Sequence, residues 1–201
     1  MPHVVIVDDE PAARGLTAKW LEAAGIHFRV AAEIDHAQRV ASMSVRLAEL
    51  LGLPEPERAD LHKAALLHDV ARVVLPVELF EGAETPSVCE RPVMAGAPSF
   101  AHGWLKSVPL RAGAAEIIGS IAEWYDGSGL PEGRFASDIP IGSRVLSVAD
   151  MFDQLRHPQR SRQPGHYTRP VQEVLLALDL ERGDRFDPNV LDALVKLLTV
   201  N

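Results

Sequence analysis

The chain opens on a short apolar run and then changes its period. Residues 3–7, His-Val-Val-Ile-Val, are rich in β-branched side chains, the pattern of a buried strand. Asp8, Asp9 and Glu10 follow, and Pro11 suits the first turn of a helix. Ala13, Leu16, Trp20 and Ala24 share one face of that helix, and Gly25 ends it. Ile26, Phe28 and Val30 then alternate with His27 and Arg29, which predicts a second strand. Residues 3–31 therefore read as a β-α-β unit.

Beyond it the apolar positions recur at helical spacing. Residues 35–51 carry Val40, Met43, Leu47 and Leu50 on one stripe. A Gly- and Pro-containing turn over 52–56 leads into a helix over 56–72, with Leu61, Ala64, Ala65 and Leu67 as its apolar positions. Several Pro and Gly residues over 76–98 predict a loop with one short helix. Further helices are expected over 98–107, 111–125, 141–156, 169–181 and 187–199, with a Gly- and Pro-rich loop over 126–139. Asp187 and Pro188 fit a cap followed by proline at the first helical position. The expected architecture is a mainly α helical bundle with a short β-α-β fragment at its N-terminus. The boundary falls between units 1–33 and 34–201.

Composition narrows the class. At 201 residues, 47% apolar and 24% charged, the chain suits one soluble globular domain plus a short appendage. Cys89 is the only cysteine, so no internal disulfide forms, as in a reducing compartment. No apolar run reaches membrane-spanning length, and MPHVVIVDDE lacks the basic start and long apolar stretch of a secretory signal. A cytoplasmic protein without a membrane partner is expected. The net charge of -8 and the lack of a basic stripe argue against DNA or RNA as partners. A small anionic ligand stays open, because a bound metal ion reverses the local field.

The strongest candidate chemistry lies in His36, the adjacent pair His68 and Asp69, and Asp150. Imidazole nitrogens and carboxylate oxygens together suit a divalent ion such as iron, manganese or zinc. Spacing alone does not decide for a metal, since a lone histidine on an apolar helix is more often a core residue with one satisfied hydrogen bond.

The surroundings of these residues add to the signal. The segment LLHDVAR (66–72) resembles the His-Asp motif of HD-domain phosphohydrolases. DHAQRVASMSVRLAELLGL (35–53) resembles that family's first helix, and IPIGSRVLSVADMFDQL (139–155) the helix that supplies its last aspartate. EWYDGSGLPEG (123–133) is similar to the loop that names the HD-GYP subgroup, and GDRFDPNVLDAL (183–194) to its closing helix. The resemblance runs in order over about residues 35–198. It implies an HD-GYP domain, a family of metal-dependent phosphodiesterases acting on cyclic di-GMP. Carried over position by position, His36, His68, Asp69 and Asp150 are implied metal ligands. Asp69 and Arg72 are implied at the catalytic centre, and Arg72, Asp126, Gly127, Gly129 and Pro131 in substrate binding.

The chain departs from the family elsewhere. Ala97, Ile121 and Ala122 stand where three further ligand histidines are usual, and neither alanine nor isoleucine has a lone pair to offer. His102 lies five residues beyond the vacated position at Ala97, and would need a rotated helix to replace it. Arg72 replaces a lysine; it can clamp a phosphate but cannot donate a proton near neutral pH. Leu130 replaces the tyrosine of the loop. These changes imply a single ion, with weak or absent cyclic di-GMP hydrolysis. For the loop around Asp126, Gly127, Ser128 and Gly129, ordinary turn chemistry is an equally good reading.

Residues 4–25 resemble the start of a response-regulator receiver, with Asp8 and Asp9 at its acidic pair. No third strand with an acceptor aspartate fits before residue 35, so phosphorelay within this unit is excluded. Without the other receiver residues, an acidic cap on a helix N-terminus is the favoured account of Asp8 and Asp9. Ile6, Val7, Leu16, Trp20 and Phe28 need cover, either on the HD helices or on a second copy in a homodimer. Three readings remain open: a degenerate HD-GYP protein that binds a cyclic dinucleotide or a signalling partner, an active one-metal hydrolase of another phosphate ester or nucleotide, and a metal-free interaction module.

Overall fold

The computed structural model describes residues 30–69, 112–157 and 168–199. Residues 3–29 of the β-α-β unit, the loop over 76–98, the helix over 98–107, and Arg72, Cys89, Ala97 and His102 lie outside the described residues.

Among the described residues there are six α-helices and no strand longer than an isolated bridge. Helix α1 spans Val30–Leu50 and α2 Glu55–Leu67. Helix α3 is Ala112–Gly119, α4 is Ile141–Arg156, α5 is Val171–Asp179 and α6 is Pro188–Thr199. One 3₁₀ turn, Ala136–Asp138, precedes α4.

Helix α1 is the hub, packing against α2, α4 and α6, while α2 also contacts α3 and α4. Its inward face buries Val40, Ala41, Ser44, Leu47 and Ala48, the one-turn spacing of a core stripe. Opposite it, α4 buries Val145, Leu146, Val148, Ala149 and Phe152, and α6 buries Val190, Leu191 and Leu194. Small residues let α2 and α3 approach closely. A Cβ on Gly113 would stand 2.5 Å from the Asp60 carboxylate. The fold is thus mainly helical, as the periodicity predicts.

The differences lie at helix ends. Helix α1 starts at Val30 rather than 35, so Val30 is helical and not part of a strand. Ala31, Ala32 and Glu33 are good helix formers and carry the helix upstream. Helix α2 stops at Leu67, which leaves His68 and Asp69 in the turn that follows it. Helix α3 ends at Gly119, well short of 125, because the chain tightens into turns in which Ile121 N–H donates to Ile118 O and Glu123 N–H to Ser120 O. Helix α4 keeps the expected bounds, and α5 is trimmed at both ends.

Asp187 caps α6 in the manner its sequence predicts. Its Oδ1 accepts from Asn189 N–H at 2.8 Å, while Oδ2 accepts from Arg144 Nη1 at 2.5 Å. The Asp187 side chain is almost fully buried and Arg144 is 17% exposed, so this pair pins the start of α6 to α4 away from water. Asp187→Ala removes both a cap and the partner of a largely buried guanidinium, and should cost about 3 kcal/mol in urea unfolding.

Candidate metal centre

Three helices meet at one end of the bundle and each delivers polar groups into it. Helix α1 supplies His36, the turn closing α2 supplies His68 and Asp69, and α4 supplies Asp150. His36 and His68 are buried, with ring centroids 5.3 Å apart and planes tilted by 57°. His36 Nε2 lies 3.1 Å from Asp150 Oδ1 and 3.8 Å from Asp69 Oδ2. His68 Nε2 lies 3.4 Å from the same Asp150 oxygen and 3.7 Å from the same Asp69 oxygen. Side chains separated by up to 114 positions in the chain (150 − 36) are thus brought together.

The protonation of the two rings follows from their outer neighbours. His36 Nδ1 is 2.7 Å from Asp153 Oδ2, and His68 Nδ1 is 2.7 Å from Ala65 O. A carboxylate and a carbonyl only accept, so both Nδ1 atoms must carry the proton. In the neutral rings the lone pairs then sit on Nε2, which is where a metal ion takes them. Both Nε2 atoms are buried and neither makes a well-formed hydrogen bond; their approaches to Asp150 are charge contacts. A buried imidazole nitrogen without a partner is costly, and a cation at the meeting point of two such nitrogens and two carboxylates removes that cost. The residues present therefore fit a divalent ion. One ligand atom each from His36, His68 and Asp69 falls within 4.8 Å of the others. Asp150 Oδ1 also accepts from Gln154 Nε2 at 2.7 Å, one turn along α4, which orients the carboxylate.

Electrostatics point the same way. Burial disfavours charge on His36, but Asp150 and Asp153 outweigh it and raise its pKa to about 9. Burial also opposes charge on His68, and Asp69 and Asp150 raise it to about 9. Burial pushes Asp150 up, but its contacts with the two histidines prevail and hold it far below the usual carboxylate range. Burial likewise opposes the charge on Asp153, and His36 and Arg39 bring it down to about 2. The centre is strongly anionic once the imidazoles are neutral, and so favours a cation.

The loop residues have different company. Asp126 is exposed; its Oδ1 accepts from Ser128 N–H at 2.8 Å and Ser128 Oγ at 2.7 Å, and the Ser128 hydroxyl and backbone bonds lower its pKa. Its N–H donates to Asp184 O, and Tyr125 N–H to Arg185 O, which ties the loop to the turn between α5 and α6. The Arg185 guanidinium lies 5.5 Å from the Trp124 ring centre and 5.1 Å from that of Phe186. Gly127 adopts a positive φ of 83°, and Pro131 is exposed. Gly129 is buried where a Cβ would lie 2.0 Å from Trp124 N. None of the hydrogen bonds described for these four residues reaches the His/Asp centre.

Three residues beyond the sequence reading matter here. Glu123 is buried, with Oε1 accepting from Glu132 N–H at 2.7 Å and Oε2 from Arg134 N–H at 2.9 Å. Its carboxylate is thus spent on shaping the loop. Asp153 and Arg39 stand behind His36, Arg39 donating to Asp153 through Nε and Nη2 at 2.7 and 2.8 Å. A signal for this pair was present: Arg39 follows His36, and Asp153 follows Asp150, by three positions on a helix, which puts each on its neighbour's face.

A helical bundle with a buried His/Asp centre built from its first, second and fourth described helices defines a class of metal-site domain. The chain belongs to the HD domain family, whose model matches residues 22–190. It is 31% identical to a cyclic di-GMP phosphodiesterase of Thermotoga maritima over 81% of this chain and 44% of that one. It is 30% identical to the cyclic di-GMP phosphodiesterase response regulator RpfG of Xanthomonas campestris over 87% of this chain and 46% of that one. The chain thus spans less than half the length of these two relatives. A solved Bdellovibrio bacteriovorus protein described as HDG"Y"P shares the fold, with a TM-score of 0.67 at 19% identity, covering 93% of this chain and 60% of that one. Among the described residues no helix is long and apolar enough to cross a membrane.

The raised histidine pKa values give a signed expectation. In the metal-free protein each histidine stabilises the fold below its ordinary value of 6.5 and gives that stability up as pH rises through about 9. Metal binding needs the neutral rings and strengthens over the same window. The thermal shift between manganese-loaded and chelator-treated protein should therefore grow from pH 6.5 to 9 by differential scanning fluorimetry. Gly129→Ala, by contrast, should loosen the 126–135 loop while leaving metal content unchanged, read by amide hydrogen exchange and elemental analysis.

Proposed function

We propose that this chain is an HD-GYP-type output domain of cyclic-dinucleotide signalling, with a one-metal site and weak or no phosphodiesterase activity. The observation that carries this reading is the pair of buried Nε2 atoms of His36 and His68 facing Asp69 and Asp150 without hydrogen-bond partners. These four residues would hold one ion of iron, manganese or zinc. Such an ion supplies Lewis acidity and positive charge against a phosphate ester.

Support for a single ion comes from the residues beside the loop. Ile121 and Ala122 have no lone pairs, and both Glu123 oxygens are engaged by backbone N–H groups. A lone ion leaves either the attacking or the leaving oxygen without its clamp, a loss of several kcal/mol of transition-state stabilisation. Arg72 would hold the phosphate, and Asp126, Gly127, Gly129 and Pro131 would contact substrate, by resemblance to the HD-GYP loop. The ligand would be a cyclic dinucleotide or a related phosphate ester, in line with the names of the relatives. Residues 1–33 would be a receiver-like remnant and 34–201 the HD domain, with the remnant docked on the bundle or on a second copy. The response-regulator relative supports a place in two-component signalling; a signalling protein would be a further partner, and the cytoplasm the location.

The intact four-residue set favours one other reading, a one-metal hydrolase of a different phosphate ester. Elemental analysis of protein purified without chelator should find about one ion per chain, falling to background in His68→Ala. With manganese or iron(II), cyclic di-GMP should bind without accumulating the linear dinucleotide. Rapid opening of the ring would refute the degenerate site, metal without nucleotide binding would favour the other hydrolase, and metal-free protein would leave only an interaction module.

A further inference from the structure

Asp153 belongs to none of the ligand sets above, yet it is buried and its carboxylate is saturated. Oδ2 accepts from His36 Nδ1 at 2.7 Å and from Arg39 Nη2 at 2.8 Å. Oδ1 accepts from Arg39 Nε at 2.7 Å and lies 3.0 Å from His157 Nδ1. The bidentate guanidinium fork fixes the plane of the carboxylate, and so the direction from which it meets His36. Arg39 stands one turn beyond His36 on α1, and Asp153 one turn beyond Asp150 on α4. The two helices that bring ligands together therefore also carry the brace behind them.

Resting on the metal-site reading, we propose that Asp153 and Arg39 are positioning residues that hold His36 in the tautomer with its proton on Nδ1 and its lone pair on Nε2, turned toward the cation. Asp153 touches the ring directly, and Arg39 acts through Asp153. Neutral imidazole has two tautomers, and only this one leaves Nε2 able to ligate. An acceptor-only carboxylate at Nδ1 enforces it. A carboxamide does not. Arg39 donates to both carboxylate oxygens, through Nε to Oδ1 and Nη2 to Oδ2, so an asparagine turns either its oxygen or its NH₂ toward His36 Nδ1. With the NH₂ there, the ring proton moves to Nε2 and the lone pair is lost; with the oxygen there, the negative charge that holds the proton on Nδ1 is gone.

Asp153→Asn, nearly isosteric, should weaken zinc binding by the full chain about 10- to 100-fold in competition with a chromophoric chelator. Arg39→Gln should weaken it about tenfold, and Arg39→Lys should recover part of that loss. Nitrogen-15 NMR supplies a second readout. In zinc-loaded wild-type protein the His36 Nδ1 proton should be far downfield and slow to exchange, and Asp153→Asn should move it upfield and speed its exchange. Far-UV circular dichroism checks that the helices persist; should Asp153→Asn fail to fold, Arg39→Gln, at a side chain 42% exposed, decides on the same readouts. Wild-type zinc affinity together with an unshifted, slowly exchanging Nδ1 proton in the variants would overturn the positioning role. Failure of the wild-type chain to bind zinc, manganese or iron(II) would instead overturn the metal reading on which it rests, so the two failures are told apart.

Discussion

The structure turns on one constraint: two imidazole nitrogens are held out of water against two carboxylates. Such groups are tolerable inside a protein only when a positive partner is present, either protons on the rings or a cation among them. The apolar faces of the three helices around them pack into one core. On α1 and α4 the buried apolar residues Val40, Val148, Ala149 and Phe152 stand directly beside the histidine and aspartates of the centre. The apolar seam fixes where the helices cross, and the crossing fixes where the polar groups meet.

How far this was legible in the sequence depended on the kind of information each residue carries. The helices stood out because α1, α4 and α6 repeat apolar side chains every three or four positions, a local signal. Their ends were less legible, because they are decided by contacts the periodicity does not contain. Helix α3 stops at Gly119 because Glu123 must turn inward to receive two backbone N–H groups from residues 132 and 134. The candidate ligands were visible through motif resemblance, not through spacing, since nothing local links His36 to Asp150. The brace of Arg39 and Asp153 left a faint trace in the paired three-residue offsets on two helices. It becomes meaningful only when those helices are set side by side.

Glu123 carries a related lesson about reading a motif by its letters. The residue is an acid in a place where the family resemblance leads one to look for ligands, beside Ile121 and Ala122. In the folded chain its oxygens are consumed by the loop that begins three residues later. A carboxylate already accepting two N–H donors has little incentive to exchange them for another partner. The same acid thus gives the segment that follows its shape, while the turn between α5 and α6 anchors that segment from the other side.

The two histidines are buttressed over very different chain distances. His68 leans on the carbonyl of Ala65, within its own helical turn, whereas His36 on α1 leans on Asp153 of α4. One half of the centre can take shape as soon as α2 winds. The other must wait until helices more than 100 residues apart in sequence have docked (153 − 36 = 117). The four side chains therefore come together only with that tertiary docking, and an ion seated there would work as a clasp closing on a finished arrangement.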